Sequence, residues 1–227
     1  MIIGTVSENK ELEKRISITP EIAKKYISNG FEVMIEKDLA SHLGISDKDF
    51  LEEGCKIDSR ENVLNQSNII LQLNLPDEKS TSLLKEDKIL IGNFNSSSNK
   101  DAITNISNKK INVFSMELLP RITRAQSMDI LSSQANLAGY KAVVDAASFY
   151  NKAFPLMMTS AGTIPPAKVL VIGAGVAGLA AIGTATSLGA IVRAFDVRPE
   201  VAEQIELIAA EVGGAGKLLV FCLNYEC

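Results

Sequence analysis

The fold is decided by the stretch Lys168–Asp196, which reads KVLVIGAGVAGLAAIGTATSLGAIVRAFD. It begins with the apolar run Val169–Ile172, which is typical of a strand buried on both faces of a parallel sheet. Gly173, Gly175 and Gly178 follow in the G-x-G-x-x-G spacing of a dinucleotide-binding turn. The first glycine permits a tight turn, the second lets a pyrophosphate approach the backbone, and the third lets the helix pack closely on the strand.

The residues after this glycine-rich turn (173–178) complete a strand–helix–strand unit. A helix is predicted over Val176–Leu188, with its positive dipole end and free N–H groups facing the phosphates and Gly189 as its cap. Ile191–Phe195 is predicted as the next parallel strand, and an acid at its end would bind the adenosine ribose, which favours NAD over NADP. A following arginine would soften that preference. The predicted cofactor-binding residues here are Gly173, Gly175, Val176, Ala177, Gly178, Asp196, Val197 and Arg198.

The composition limits the class of protein. With 46% hydrophobic and 22% charged residues, the 227-residue chain is ordinary for a soluble globular protein with one large or two small domains. A net charge of −4 without a basic block argues against a nucleic-acid partner. Cys55, Cys222 and Cys227 show no C-x-x-C spacing, which predicts a reducing compartment without disulfides or a metal site. Neither a signal peptide nor a membrane span is predicted.

The first half of the chain alternates predicted strands with predicted helices, which indicates an open parallel sheet covered by helices on both faces. Thr19 followed by Pro20 is a typical helix start. The predicted fold class is α/β, with two Rossmann-like or flavodoxin-like lobes joined by a long helix and an incomplete second, nucleotide-binding lobe. The predicted strands are Ile2–Val6, Phe31–Glu36, Ile69–Leu73, Ile89–Ile91 and Asn112–Ser115, and the helices are 20–28, 46–53, 60–66, 80–86 and 100–107.

A long helix is predicted over Gln126–Tyr150. Apolar residues step along it by three or four positions, which indicates one apolar stripe. We place the domain boundary inside this helix, with an N-terminal lobe over 1–138 and the nucleotide-binding lobe over 139–227. The segment after the helix, 154–166, reads as a turn-rich connection. The residues of the stripe are Leu131, Ala135, Ala138, Ala142, Ala146 and Phe149.

Polar residues gather where this helix begins. Arg121, Gln126 and Asp129 have the spacing R-x4-Q-x2-D, which could place an arginine–aspartate pair beside an amide and so orient a carboxamide without proton chemistry. Helix capping with a surface ion pair explains the same spacing, and both explanations stay open. Arg15 either binds a carboxylate or is a solvated charge. His42, the only histidine, is predicted to be a surface residue and not a catalytic base.

Three segments carry a resemblance to a known family. Pro120–Lys141, Ala161–Ala167 and the Gly173–Asp196 fingerprint resemble the alpha subunit of proton-translocating NAD(P) transhydrogenase. The opening Glu13–Pro20 is similar to the wider group that includes alanine dehydrogenase. The resemblance extends over about Met1–Glu206.

The resemblance implies an NAD(H)-binding, usually dimeric component that passes a hydride directly to NADP+ held on a separate component. Proton movement would be coupled through a membrane-spanning component, so this chain would be cytoplasmic and peripheral to the inner membrane. By the same resemblance Arg121, Gln126 and Asp129 position the nicotinamide as catalytic residues, and Ser132 lies near its carboxamide. Such a reaction needs no acid–base residue, because positioning and exclusion of water supply the catalysis.

Two alternatives are weighed against this function. An alanine dehydrogenase-like enzyme would use a lysine where Gln72 stands and a histidine in the loop 92–99, and this chain has neither. A non-catalytic, truncated remnant is the other alternative, because the sequence departs from the family pattern after about Gln204. A nucleotide lobe of two or three strands would leave apolar faces uncovered, so we expect the chain alone to bind NAD weakly or not at all.

Overall fold

The structure, a computed structural model, describes residues 1–198, 201 and 203–206. Two compact units are present, one over Met1–Met128 and a second that begins at Asp129. The boundary predicted at residue 138 lies within a helix of the second unit. The sequence from 207 onward, where the departure from the family pattern was noted and where Cys222 and Cys227 stand, is outside the described residues.

The first unit is built on a six-stranded, wholly parallel sheet, which confirms the predicted open α/β architecture. Its strand order is β3-β2-β1-β4-β5-β6, so the direction of winding reverses between β1 and β4. The strands are β1 (Ile2–Thr5), β2 (Glu32–Glu36), β3 (Lys56–Asp58), β4 (Ile69–Leu71), β5 (Ile89–Gly92) and β6 (Asn112–Ser115). The helices are α1 (Pro20–Ser28), α2 (Asp47–Glu52), α3 (Arg60–Gln66), α4 (Glu78–Leu83) and α5 (Lys100–Ser107).

Two apolar layers hold this sheet. Successive residues of β2 alternate between them, because strand side chains point to opposite faces: Val33 and Ile35 belong to one buried cluster and Met34 to the other. The first cluster packs under α1 and α2 through Ala23 and Phe50. Burial on both faces is what a parallel sheet requires, and it explains the continuous apolar runs in the sequence.

The ends of the helices follow local capping. Thr19 accepts a hydrogen bond from the Ile22 amide and Pro20 opens α1, as predicted. The start predicted for α4 at Ser80 is wrong, because Asp77 accepts from the Ser80 amide and the helix begins at Glu78. Strand β3 was not predicted, since three residues with a single aliphatic side chain give no recognisable pattern.

The second unit contains the predicted strand–helix–strand unit. β9 (Lys168–Ile172) and β10 (Ile191–Phe195) pair in parallel, from Ile191 opposite Lys168 to Phe195 opposite Ile172, and α7 (Val176–Ser187) connects them. Gly189 has a φ of +83°, the left-handed conformation expected just after a helix. The connection predicted to be turn-rich instead contains an antiparallel hairpin, β7 (Met157–Thr159) and β8 (Gly162–Ile164).

The long helix, α6, covers Ile130–Phe149, and its predicted start at Gln126 is wrong. Residues Thr123–Met128 form a 3-10 helix, and Asp129 then caps α6. The predicted apolar stripe is also partly wrong: Phe149 is 85% exposed, whereas the buried residues of the helix are Gly139 and Val143. Among the described helices, none combines the length and apolar character needed to cross a membrane.

Candidate functional site

The glycine-rich turn has the shape that a diphosphate needs. Gly173 has a φ of +92°, which glycine adopts readily, and a β-carbon added at Gly173 or Gly175 would meet no atom within 4 Å. A β-carbon at Gly178 would instead lie 1.8 Å from the Gly173 carbonyl oxygen. The turn is therefore open over its first two glycines and tightly packed at the third, as each position of the motif was predicted to be.

The N-terminus of α7 is suited to an anion. No side chain caps it, so the first-turn amides of Val176 and Ala177 have no side-chain acceptor among the described residues. Its first turn also lacks an acidic residue, whereas each of the five helices of the first unit carries one there. Because an acidic side chain would compete with a phosphate for the positive end of the helix dipole, its absence favours anion binding.

Asp196 follows β10 directly, and its carboxylate is already engaged. One oxygen accepts from the Ala174 amide at 2.8 Å, which ties the strand end to the turn. The Arg198 side chain donates to both oxygens at 3.0 Å, and the Arg198 amide donates at 2.9 Å. The Arg198 guanidinium, with the Ala174 and Arg198 amides, holds the pKa of Asp196 well below its usual range. Val197, beside it, is 84% exposed.

Arg121 and Gln126 lie in the segment 116–128 of the first unit, which contains the 3-10 helices Met116–Leu118 and Thr123–Met128. Both side chains are exposed, and neither forms a hydrogen bond or ion pair with another described residue. Arg121 and Gln126 retain their donors for a ligand.

Asp129 and Ser132 lie together at the start of α6. The Asp129 carboxylate accepts from the Ser132 amide at 3.0 Å and from the Ser132 hydroxyl at 2.6 Å. This geometry confirms the capping explanation for Asp129. The two hydrogen bonds from one serine also fix the orientation of the carboxylate.

The first unit has a cavity of about 380 Å³ between the loops that follow β1 and β4. These are the carboxyl ends of the two strands where the winding reverses, the usual ligand position of an open α/β sheet. Gln72 lines it, is 4% exposed, and has an Oε1 atom without a hydrogen-bond partner. Burial raises the pKa of Glu8 in the same wall.

The cations near this cavity are already neutralised. Arg60 forms an ion pair with Glu36 at 3.1 Å, and Arg15 donates two bonds to Glu13 at 2.6 and 2.9 Å. His42 is exposed and bonds to the Lys14 carbonyl, as expected of a surface residue. Because the described walls of the cavity provide neither an unpaired cation to hold a carboxylate nor a histidine to move a proton, it does not suit an amino-acid dehydrogenase.

Gly139 is a structural residue of the site that the sequence analysis missed. A β-carbon there would lie 2.0 Å from the Ala177 carbonyl oxygen, so only glycine lets α6 lie against the first turn of α7. The available signal was a glycine in the middle of a predicted helix, which usually has a packing reason. Among the described residues, no cluster of His, Cys, Asp and Glu is arranged to hold a metal ion.

Comparisons with known proteins agree on one family. Residues 4–138 match the alanine dehydrogenase/PNT N-terminal domain, and residues 142–213 match the alanine dehydrogenase/PNT C-terminal domain. The chain is 45% identical to NAD(P) transhydrogenase subunit alpha of Haemophilus influenzae over 224 residues, 95% of this chain and 44% of that protein. It is 43% identical to NAD(P) transhydrogenase subunit alpha of Cereibacter sphaeroides over 212 residues, 93% of this chain and 40% of that protein. The chain thus spans less than half the length of these two curated relatives.

Solved structures place the fold in the same group. The crystal structure of transhydrogenase from Sinorhizobium meliloti superposes with a TM-score of 0.89 at 40% identity, covering 97% of this chain and 64% of that one. An L-alanine dehydrogenase superposes with a TM-score of 0.81 at 21% identity, covering 98% of this chain and 61% of that one. At that identity the second likeness shows the shared fold alone.

Proposed function

This chain belongs to the alanine dehydrogenase/PNT family, and we propose that it is the NAD(H)-binding component of an NAD(P) transhydrogenase. The observation that carries the proposal is the open glycine-rich turn at an uncapped, acid-free helix N-terminus. A pyrophosphate supplies the negative charge and the acceptors that such a terminus lacks. The reaction class is direct hydride transfer between NADH and NADP+.

The cofactor is NAD(H), and when bound it would supply the hydride at its nicotinamide ring. Gly173, Gly175 and Gly178, with the amides of Val176 and Ala177, would hold the pyrophosphate. Asp196, flanked by Val197 and Arg198, would hold the adenosine ribose. Arg121, Gln126 and Asp129 would orient the nicotinamide, with Ser132 near its carboxamide. These residues would bind and orient the cofactor and transfer no proton.

The partners follow from this role. We propose a homodimer that works with an NADP-binding component and a membrane-spanning component, the latter coupling hydride transfer to proton movement. This chain would then be cytoplasmic and peripheral to the inner membrane. An alanine dehydrogenase activity is not favoured, because Gln72 replaces the lysine and Arg15 is paired with Glu13.

Cofactor binding is tested most sharply with Gly175→Ala. The added methyl meets no protein atom within 4 Å, and the Gly175 φ of −74° suits alanine, so the unfolding temperature should not change. The same methyl would stand where the pyrophosphate approaches, so the NADH dissociation constant, measured by calorimetry, should rise at least about tenfold. Ser187→Ala, at the exposed opposite end of α7, is the matched control. Equal affinities for both variants would contradict the proposed site.

Activity needs a separate assay. NADH and an NADP analogue are mixed with this chain and the NADP-binding component of a transhydrogenase, and reduction of the analogue is followed by absorbance. Transfer that depends on this chain supports the proposed function. Binding without transfer would reduce the function to NAD(H) binding, and absence of both would leave only family ancestry, as the remnant alternative expects.

A further inference from the structure

Glu117 joins two loops at the carboxyl edge of the first sheet. It lies two residues after β6, in the 3-10 helix Met116–Leu118, and is half-buried. Its carboxylate accepts from the Ser96 amide at 2.8 Å, the Phe94 amide at 3.3 Å and the Ser115 hydroxyl at 2.6 Å. The first two donors belong to the loop after β5, so one side chain links the segments that follow the neighbouring strands β5 and β6.

The loop after β5 is folded around this carboxylate. Asn95 has a φ of +46°, and such a left-handed residue turns the flanking amides of Phe94 and Ser96 toward one point, as in the backbone nests that bind anions. The Phe94 ring, 1% exposed, anchors the loop in the core. The Asn99 side chain closes the loop by donating to the Phe94 carbonyl at 2.8 Å.

The charge of Glu117 is part of this arrangement. Burial raises its pKa, but hydrogen bonds from the Ser115 hydroxyl and the Ser96 amide outweigh burial, so that the pKa of Glu117 is lowered. An ionised carboxylate accepts bonds at both oxygens, whereas an amide offers one acceptor and presents donors on the other side. Glutamine at this position would therefore set N–H groups against N–H groups in the nest.

We propose that Glu117 is a positioning residue that fixes where the segment 119–128 leaves the sheet and so presents Arg121 and Gln126 to the nicotinamide. Arg121 follows Glu117 by only four positions along the chain, so a change in its anchor is carried directly into that side chain. The inference rests on the proposed function for its ligand. Its geometry rests on the hydrogen bonds from the loop after β5 and from Ser115.

Hydrogen exchange of the full chain without cofactor tests the geometry. In Glu117→Gln, exchange should accelerate at least about tenfold in 93–99 and in 118–128, while 20–28 and 168–195 keep wild-type rates. Glu61→Gln, the same chemical change on an exposed position of α3, should alter neither segment. Unchanged exchange in 118–128 would overturn the inference whatever the cofactor does.

Two cofactor titrations separate positioning from general loss of structure. Glu117→Gln should weaken, at least about twofold, the fluorescence change that NADH shows on binding. The dissociation constant of ADP-ribose, which lacks the nicotinamide, should stay within about twofold of wild type. Equal losses for both ligands would overturn the positioning role. If the glutamine variant does not fold, Glu117→Asp, which keeps the charge on a shorter stem, must show the same split or the inference fails. If the wild-type chain gives no NADH signal, the proposed function fails, and so does the claim that Glu117 acts on the nicotinamide. Hydrogen exchange still decides whether Glu117 holds the segments 93–99 and 118–128.

Discussion

Substituting Gly139 by alanine separates two physical effects of opposite sign. Gly139 lies in the middle of α6, where glycine is an unfavourable helix residue. If helix propensity decided the outcome, Gly139→Ala would stabilise the second unit by about 1 kcal/mol. The structure predicts the reverse, because the new methyl meets the first turn of α7.

The size of the steric effect follows from the distances. The added β-carbon would lie 2.0 Å from the Ala177 carbonyl oxygen and 2.9 Å from its carbonyl carbon, both of them backbone atoms without a rotamer to change. Relief requires α6 and α7 to separate by about 1 Å or more, and overpacking of this kind costs about 1–3 kcal/mol. Separation would also loosen Val143 and Ile182, which share one buried cluster. After the propensity gain, we expect a net loss of up to about 2 kcal/mol.

Urea unfolding, monitored by hydrogen exchange of the amides in 168–195, measures this loss within the second unit. The matched control is Ala138→Gly, one residue away and exposed, where the propensity effect alone should cost about 1 kcal/mol. NADH affinity should fall in Gly139→Ala, because the amide of Ala177 moves with its carbonyl. A Gly139→Ala chain more stable than wild type by the full propensity effect of about 1 kcal/mol would refute the steric reasoning.

Three further outcomes are expected from the described contacts. Asp129→Ala should destabilise α6 by about 1 kcal/mol through loss of the cap, which thermal unfolding measures. Asp129→Asn should keep the cap and the stability, but it should lower hydride transfer in the transfer assay if the charge orients the nicotinamide. Burial raises the pKa of Glu8 in the folded state, so its protonated form stabilises the fold. This contribution is complete below the unfolded pKa and is lost as the pH rises through the folded pKa. In urea titrations, Glu8→Gln should therefore gain stability relative to wild type as the pH rises from about 4 to about 7. Lys88→Met should cost about 1–3 kcal/mol in the same titrations, because the buried ammonium donates to the Asn65 and Ser67 carbonyls at the end of α3.

The sequence was most informative where structure is decided locally. Helices α3 and α5 and strand β6 have the predicted bounds, because apolar spacing and, for α3, the Ser59 cap act within a few residues. The glycine-rich turn was predicted from the spacing of its motif. Gly173 has the positive φ of a tight turn and Gly178 packs against the Gly173 carbonyl oxygen, whereas Gly175 meets no atom of its own turn. Strand β3 and the hairpin β7–β8 are too short for a periodic pattern, so their pairing depends on contacts that a sequence pattern does not encode.

The buried face of α6 shows a different limit. Alanine and glycine differ little in hydrophobicity, so a stripe drawn through Ala135, Ala138 and Ala142 cannot identify the side that meets α7. The side that packs is the one that carries Gly139, because backbone approach requires the absence of a β-carbon and not the presence of an apolar group. In α6 the position of Gly139 identifies the packed face, whereas the apolar period does not.

Asp196 illustrates what a motif leaves undecided even when its position is predicted. The acid stands at the end of β10 as expected, yet Arg198 and Ala174 already occupy both of its oxygens. The Arg198 side chain is 56% exposed and the Asp196 side chain only 7%, so the arginine is the partner that can turn toward solvent. The Ala174 amide would keep the carboxylate in place when Arg198 swings away. A ribose would therefore meet an acid that is oriented by the turn itself. Arg198 would compete with the ribose hydroxyls for the oxygens of that acid.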